Sequence, residues 1–203
     1  MPGPYLPAGA LGSLVVTAVA VMGSPGPATI SLTAAGSTYG ARRCIGYLAG
    51  IVAGTFVVLL AVASGITATL LAVPAVRPVL IALGAAYIVW LAYHIATAPP
   101  LAAQTPGVSA PSAPAGALLG VTNPKAWVAI AAVFASARLS GDAAADAAAK
   151  VAVLTVMIVV INTTWLLAGA SLAPLLRDPR RARVVNPALA LMLLAAAAVT
   201  VVR

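Results

Sequence analysis

The chain has 203 residues, of which 63% are hydrophobic and only 7% are charged, and its mean hydropathy is +1.10. A soluble domain carries roughly 25% charged residues because its surface faces water. The 11 basic and 3 acidic side chains of this chain are too few to coat a soluble globule of its size. The composition therefore predicts an all-α integral membrane protein. The net charge of +8 does not indicate a nucleic-acid partner, since the basic residues are scattered or lie in short clusters between apolar runs.

Apolar runs and the residues that interrupt them predict about six transmembrane helices in one domain, each of about 20 residues. The predicted spans are 5–38, 44–73, 76–96, 116–137, 147–172 and 184–202, and the linker is the Pro/Ser/Ala-rich stretch 97–115. The halves are therefore 1–96 and 116–203. Two halves of three spans each have opposite orientations, as in transporters built from inverted repeats. Each half opens with a proline-interrupted span, so we expect helices one and four to be broken.

Basic residues between the spans predict the orientation of the bundle. The loops after spans one and five carry Arg42, Arg43, Arg177, Arg180, Arg181 and Arg183, whereas the other side carries Arg77, Arg138, Lys150 and Arg203. Because cytoplasmic loops are enriched in Lys and Arg, this excess predicts that the N-terminus lies outside the cell.

The first motif with chemical consequences, Gly23-Ser24-Pro25-Gly26-Pro27, lies inside span one. Proline lacks a backbone donor and clashes with the carbonyl four residues earlier, so two prolines around a glycine break the helix. In hydrocarbon the freed carbonyls need a partner from protein, water or ligand. Broken helices of transporters aim half-helix N-termini at anionic groups such as carboxylates. We therefore expect Pro25, Gly26 and Pro27 to form part of a substrate site near the membrane midplane; the alternative is a loop at the membrane surface.

The second motif, Asn123-Pro124-Lys125-Ala126-Trp127, interrupts span four. A lysine in an apolar span is costly, and ionisable groups inside a membrane are candidates for function. Asn123 can cap the helix that restarts after Pro124, which puts Lys125 in its first turn, where the ammonium could hold a carboxylate or a coupling anion. We expect Asn123, Pro124 and Lys125 to bind substrate. The alternative is that Lys125 extends to the membrane interface and only sets orientation.

Three glycines in span two, Gly46, Gly50 and Gly54, recur at i, i+4 and i+8 and so lie on one face of a helix. A smooth ridge of this kind allows close approach by another helix. We expect these glycines to pack against a helix, either of the same chain or of a second subunit.

Polar groups inside the spans are few. Asn162 lies deep in span five and could line a solute path or hydrogen-bond between helices. The single cysteine, Cys44, excludes a disulfide framework, a paired redox motif and a cysteine-based metal site. The aspartates Asp142, Asp146 and Asp178 all fall in predicted loops, so we expect no carboxylate proton relay inside the membrane.

The order and spacing of these motifs resemble the LysE/RhtB family of amino-acid exporters over nearly the whole chain. The resemblance is carried by Pro25-Gly26-Pro27, Gly40-Ala41-Arg42-Arg43, the Gly46/Gly50/Gly54 ridge, Leu83-Gly84-Ala85-Ala86-Tyr87 and Asn123-Pro124-Lys125-Ala126-Trp127. It implies a multi-pass protein of the bacterial plasma membrane that exports amino acids or close analogues from the cytoplasm, driven by the proton gradient. Its partners would be a small-molecule substrate, the lipid bilayer and, as an open alternative, a second copy of the chain.

Other functions fit the sequence less well. Metal transport would require Asp, Glu, His or Cys in the spans, where this chain has only His94 and Cys44. An intramembrane enzyme would need a nucleophile with its base, or paired carboxylates within reach of one another, and the sequence offers no such set. We therefore expect no enzyme activity, no cofactor and no bound metal. Export of a cation or other small solute, and a non-transporting membrane assembly protein, are the alternatives.

Overall fold

The structure, a computed structural model, describes residues 8–65, 76–97, 109–172 and 178–202. Across these residues it is helical without strands, which confirms the predicted all-α class. The helices are α1 (Ala8–Met22), α2 (Pro27–Tyr39), α3 (Ile45–Ala63), α4 (Val76–Ala96), α5 (Ala113–Thr122), α6 (Pro124–Ala135), α7 (Ala143–Ser171) and α8 (Pro179–Val202), with a 3-10 turn (Ala41–Cys44) between α2 and α3. The predicted continuation of span two to residue 73, residues 98–108 of the linker, and Arg177 lie outside the described residues.

Long apolar helices give the described part of the chain its membrane character. The segment Ala41–Ala63, which ends in α3, and the helix α7 are each long and apolar enough to cross a bilayer. The pairs α1–α2 and α5–α6 bring the number of such spans to four if each pair counts as one span. The helices α4, with 21 residues, and α8, with 24, are about 30 Å long or more at a rise of about 1.5 Å per residue. Counting them by length alone gives the six predicted spans.

Both predicted helix breaks are present. The axes of α1 and α2 are bent by 66° across residues 23–26, and those of α5 and α6 by 59° at Asn123. In each pair the second helix starts with a proline at its first position, Pro27 or Pro124, where the missing N–H has no intrahelical partner to lose. The Asn123 side-chain oxygen accepts a hydrogen bond from the Lys125 N–H at 3.2 Å, so the predicted cap is formed.

Glycines allow α3 and α5 to cross closely. A Cβ atom on Gly50 would lie 2.8 Å from the carbonyl carbon of Ala113, and one on Gly120 would lie 2.7 Å from the carbonyl oxygen of Ile51. The ridge of α3 thus meets a second glycine pair, Gly116 and Gly120, on α5 of the same chain. The same atom on Gly46 would meet nothing within 4 Å among the described residues, so this third position of the ridge is open there.

Helix α2 lies inside the bundle, with every residue buried except Thr33. It packs along α7, where a Cβ atom on Gly36 would lie 2.6 Å from the carbonyl oxygen of Leu166. The hydroxyl groups of its two buried serines are satisfied within the helix: Ser31 donates to the carbonyl of Ala28 at 2.8 Å, and Ser37 to that of Ala34 at 2.9 Å. A helix rich in Ser and Thr can therefore be buried without leaving these donors unpaired.

The start of α7 corrects the sequence-based assignment of Asp146 to a loop. Asp142 caps α7 by accepting from the Ala145 N–H at 2.8 Å, so the helix begins at Ala143, before the predicted residue 147. Asp146 therefore lies in the first turn, where its carboxylate accepts from the Leu139 N–H at 2.6 Å and pairs with Lys150 at 2.8 Å. These contacts fix the loop between α6 and α7, because one carboxylate holds both the loop backbone and the helix.

The two halves exchange contacts through equivalent helices. The middle helices α3 and α7 pack together, and so do the last helices α4 and α8. Each middle helix also packs on the broken pair of the other half, α3 mainly on α5 and α7 mainly on α2. However, α5 is the first helix of its broken pair and α2 is the second helix of its own. The packing between the two halves is therefore similar but not exactly repeated. The division into halves and their inverted relation stay predictions.

Candidate functional site

The two helix breaks lie side by side and are joined by Lys125. From the first turn of α6 its ammonium nitrogen donates to the carbonyl oxygens of Ser24 and Pro25, the latter at 3.2 Å. Gly26 makes room for the lysine stem, since a Cβ atom there would lie 2.5 Å from Lys125 Cδ. An ammonium has three donors and these contacts use two. A cation is thus held at the junction of the breaks with one donor not used by them.

Protein donors also satisfy three other carbonyls near the breaks. The indole N–H of Trp165, on α7, donates to the Gly23 carbonyl at 3.1 Å. At the second break the indole N–H of Trp127 donates to the Val121 carbonyl at 2.7 Å, and the Asn123 carbonyl accepts from the Ala126 N–H at 3.0 Å. These three carbonyls are therefore held by protein donors.

A cavity of about 50 Å³ opens at this junction. It has room for a few water molecules, since one needs roughly 10–15 Å³ by the same measure. Side chains from both breaks and from α2, α3, α6 and α7 converge on it. The lining residues are Met22, Gly26, Ala28, Thr29, Thr55, Asn123, Lys125, Ala126, Ala129, Ile130, Ile158, Ile161 and Asn162.

Asn162 is a buried polar residue in the lining of this cavity. Its side chain is 7% exposed, and its amide N–H donates to the Ile158 carbonyl one turn earlier in α7, at 2.8 Å. That bond orients the amide, and its oxygen has no hydrogen-bond partner among the described residues. Buried polar atoms are nearly always paired in folded proteins, so this shielded oxygen is an exception.

A sequence model of the LysE type translocator family matches residues 19–203. The chain belongs to this family. Cysteine/O-acetylserine efflux proteins of Salmonella choleraesuis (strain SC-B67) and Salmonella typhimurium (strain LT2) are each 43% identical to it over 77 residues, which are 37% of this chain and 39% of theirs. The match thus spans well under half of the length of these relatives. No solved structure matches the chain.

Family membership and the apolar helices together establish the translocator as a multi-pass protein of the bacterial inner membrane. The predicted family is therefore confirmed.

Among the residues that the structure describes, no group of three or more His, Cys, Asp or Glu could hold a metal ion. The expectation that the protein binds no metal stays a prediction.

The translocator brings together four of the seven residues expected to bind substrate. Gly26, Asn123, Lys125 and Asn162 line the cavity, although they come from three separate places in the fold: the first break, the second break and α7. The three prolines, Pro25, Pro27 and Pro124, are not among the lining residues. They shape the breaks instead, and Pro25 adds a carbonyl that accepts from Lys125.

Sequence reasoning missed the two threonines of the cavity and its aliphatic wall. Thr29 follows Gly26 at capping-box spacing: its hydroxyl oxygen accepts from the Gly26 N–H at 2.8 Å, a pattern readable from the sequence. Ile158 precedes Asn162 by one helical turn and so faces the same way. Nothing in the sequence around Thr55 indicates that it lines the cavity. Its position results from the crossing of α3 with α5.

The Trp165 hydrogen bond predicts a stability effect in the translocator. Trp165→Phe keeps an aromatic ring but leaves the Gly23 carbonyl without its donor, which costs about 1–3 kcal/mol for a buried group. We expect a lower midpoint of thermal unfolding for the purified protein in detergent. Tyr93→Phe is the control, because Tyr93 is 66% exposed. Equal midpoints for the two variants would show that Gly23 does not depend on the indole.

Proposed function

We propose that the translocator exports amino acids or closely related small metabolites from the cytoplasm and that the proton gradient drives export. The observation that carries the proposal is the cavity between the two broken helices, lined by the ammonium of Lys125. A cation at a helix start in a low-dielectric site attracts a carboxylate, which amino acids have in common. Family membership and the efflux activity named for the Salmonella relatives support the same class of solute.

The remaining cavity wall is suited to a short side chain. Ile130, Ile158 and Ile161 present aliphatic surface, and the volume of about 50 Å³ favours small solutes. Export of a cation, the alternative from the sequence, is disfavoured by the same lysine, because a cationic solute would meet a like charge in the cavity.

Transport by the purified full-length protein tests this proposal. Proteoliposomes are loaded with a labelled amino-acid mixture, and loss of label is followed with and without an imposed proton gradient. We expect small amino acids to leave faster than from protein-free liposomes, and the gradient to accelerate their exit. Dissipating the gradient with a protonophore should remove the acceleration. Exit equal to that from empty liposomes for every amino acid would contradict the proposal, and exit that ignores the gradient would contradict its proton coupling.

A further inference from the structure

We infer that the hydroxyl group of Thr55 hydrogen-bonds the side chain of the exported solute, so that the translocator prefers short polar side chains to apolar ones of the same shape. The inference rests on the proposed function and adds a specificity-determining residue to the same cavity. Thr55 lies near the middle of α3, and its side chain is part of the cavity lining.

The hydroxyl group of Thr55 is unpaired and open to the cavity. Thr55 is buried, with an exposed fraction of 7%, and it lines the cavity. No described residue hydrogen-bonds its hydroxyl, yet this oxygen, unlike that of Asn162, is not shut off from the surrounding space. A buried polar atom that is neither paired nor shielded lies at the cavity surface, where a solute can reach it.

Thr122 shows how a buried hydroxyl is usually paired in a helix. It donates to the Leu118 carbonyl, one turn earlier in α5, at 2.8 Å. In α3 the corresponding acceptor for Thr55 is the Ile51 carbonyl, which lies against α5: a Cβ atom on Gly120 would be 2.7 Å from its oxygen. Thr55 makes no such bond among the described residues, so its donor and its acceptor are both left for a group in the cavity.

The place of Thr55 assigns its hydroxyl to the side chain of the solute. Lys125, at the junction of the breaks, would hold the carboxylate. Ile130 lies five residues further along α6, about 7.5 Å away at a rise of about 1.5 Å per residue. Val58, one turn beyond Thr55, packs in the same apolar cluster as Ile130 and Ile158. Thr55 thus lies beside the aliphatic wall that a solute side chain contacts.

A hydroxyl group in this wall discriminates between side chains of equal volume. It can donate to and accept from a hydroxyl group of the solute. An apolar side chain of the same size excludes water from the cavity and leaves the Thr55 hydroxyl unpaired, which is costly for a buried group. A site that hydrogen-bonds one group of its ligand rejects analogues that lack this group. Short polar amino acids should therefore be better solutes than their apolar isosteres.

L-Serine and L-2-aminobutyrate are the probes, because they differ only in a hydroxyl group that replaces a methyl group. Efflux of both labelled solutes is measured from the same proteoliposomes, and the ratio of the two rates does not depend on the amount of folded protein. We expect the wild type to export serine at least about 10-fold faster than 2-aminobutyrate. In Thr55→Val, which replaces the hydroxyl by a methyl group, the ratio should fall to about one or below.

Two variants are matched controls. Thr55→Ser keeps the hydroxyl group and should keep the preference for serine. Thr155→Val makes the same chemical change in α7, where the Thr155 hydroxyl donates to the Val151 carbonyl at 2.7 Å and is not part of the cavity lining. It should keep the wild-type ratio. If Thr55→Val does not fold, Thr55→Ala replaces it, because alanine also lacks the hydroxyl and adds no bulk.

The outcomes separate the inference from the proposed function. A wild type that exports amino acids without preferring serine, or a folded Thr55→Val protein that keeps the preference, overturns the inference. An equal loss of both solutes in Thr55→Val also overturns it, because the hydroxyl would then serve packing or a group that both solutes share. A wild type that exports no amino acid at all overturns the proposed function instead.

Discussion

Replacing Lys125 by methionine should abolish efflux while the protein still inserts into the membrane. Methionine keeps the length and the apolar volume of the side chain but removes the charge and its three donors. The carbonyls of Ser24 and Pro25 then lose their donor, and the cavity loses its cation. A hydrogen bond to a charged group is worth about 1.5–3 kcal/mol. Loss of such a contact to the solute lowers transport by about 10- to 100-fold.

Lys125→Arg is the matched variant, because it keeps the charge on a larger, planar head. The stem of Lys125 already runs against Gly26, where even a methyl group would lie 2.5 Å from its Cδ atom. A guanidinium has no equal room there, so we expect arginine to recover little efflux. Export is measured from loaded proteoliposomes, and the amount of inserted protein is determined for each variant. Full export by Lys125→Met at wild-type abundance would contradict a binding role.

Lys125 also joins the two breaks, and thermal stability separates this role from substrate binding. If the ammonium acted only as a clamp between Ser24, Pro25 and α6, methionine would lower the unfolding midpoint, and transport per folded molecule would stay normal. If it also binds the solute, transport per folded molecule falls. Addition of a transported amino acid should then raise the midpoint of the wild type but not of Lys125→Met, because a ligand stabilises only the state that binds it.

The architecture could be predicted because it depends on features that can be read directly from the sequence. Composition alone requires a membrane environment, and the prolines Pro27 and Pro124 end one helix and start the next wherever the bundle places them. The two breaks could also be expected to lie close together, because they can share a polar cavity only if they face one another. The partners of Lys125 could not be predicted, because backbone carbonyls of Ser24 and Pro25 have no side-chain signature.

Asn162 illustrates the limit for the site. Its place deep in span five was visible in the sequence, and both a solute path and a helix-to-helix hydrogen bond fitted it. Its amide N–H donates to the Ile158 carbonyl of its own helix, a local contact that the sequence did not single out, and the role of Asn162 in a solute path stays a prediction. Trp165 is a second case: nothing near it in the sequence indicates that its indole reaches Gly23, since the contact follows from the packing of α2 along α7.

The sequence does not identify the helix that packs on the glycine ridge, because i, i+4 spacing indicates a smooth helix face but not its neighbour. In the structure α5 of the same chain covers Gly50 and Gly54, whereas no described residue covers Gly46. This difference between members of one ridge provides a matched pair of substitutions, which the sequence alone could not have chosen.

We expect Gly50→Leu to prevent assembly of the bundle and Gly46→Leu to leave it intact. The new side chain at Gly50 would start 2.8 Å from the carbonyl carbon of Ala113 and 2.9 Å from the Ala117 nitrogen, so α5 would have to move away. Overpacking of this kind costs about 1–3 kcal/mol even where side chains can adjust, and backbone atoms of a facing helix adjust less.

Gly46→Leu controls for every effect other than packing. Both substitutions replace a glycine of α3 by a better helix former, which favours the helix by up to about 1 kcal/mol. Both also add the same apolar side chain, but at Gly46 its Cβ atom would have no described residue within 4 Å. Membrane abundance and the unfolding midpoint in detergent are measured for both variants. A Gly50→Leu protein as abundant and as stable as Gly46→Leu would mean that α3 and α5 are further apart than their glycines indicate. The two helix breaks would then also be further apart than the cavity requires.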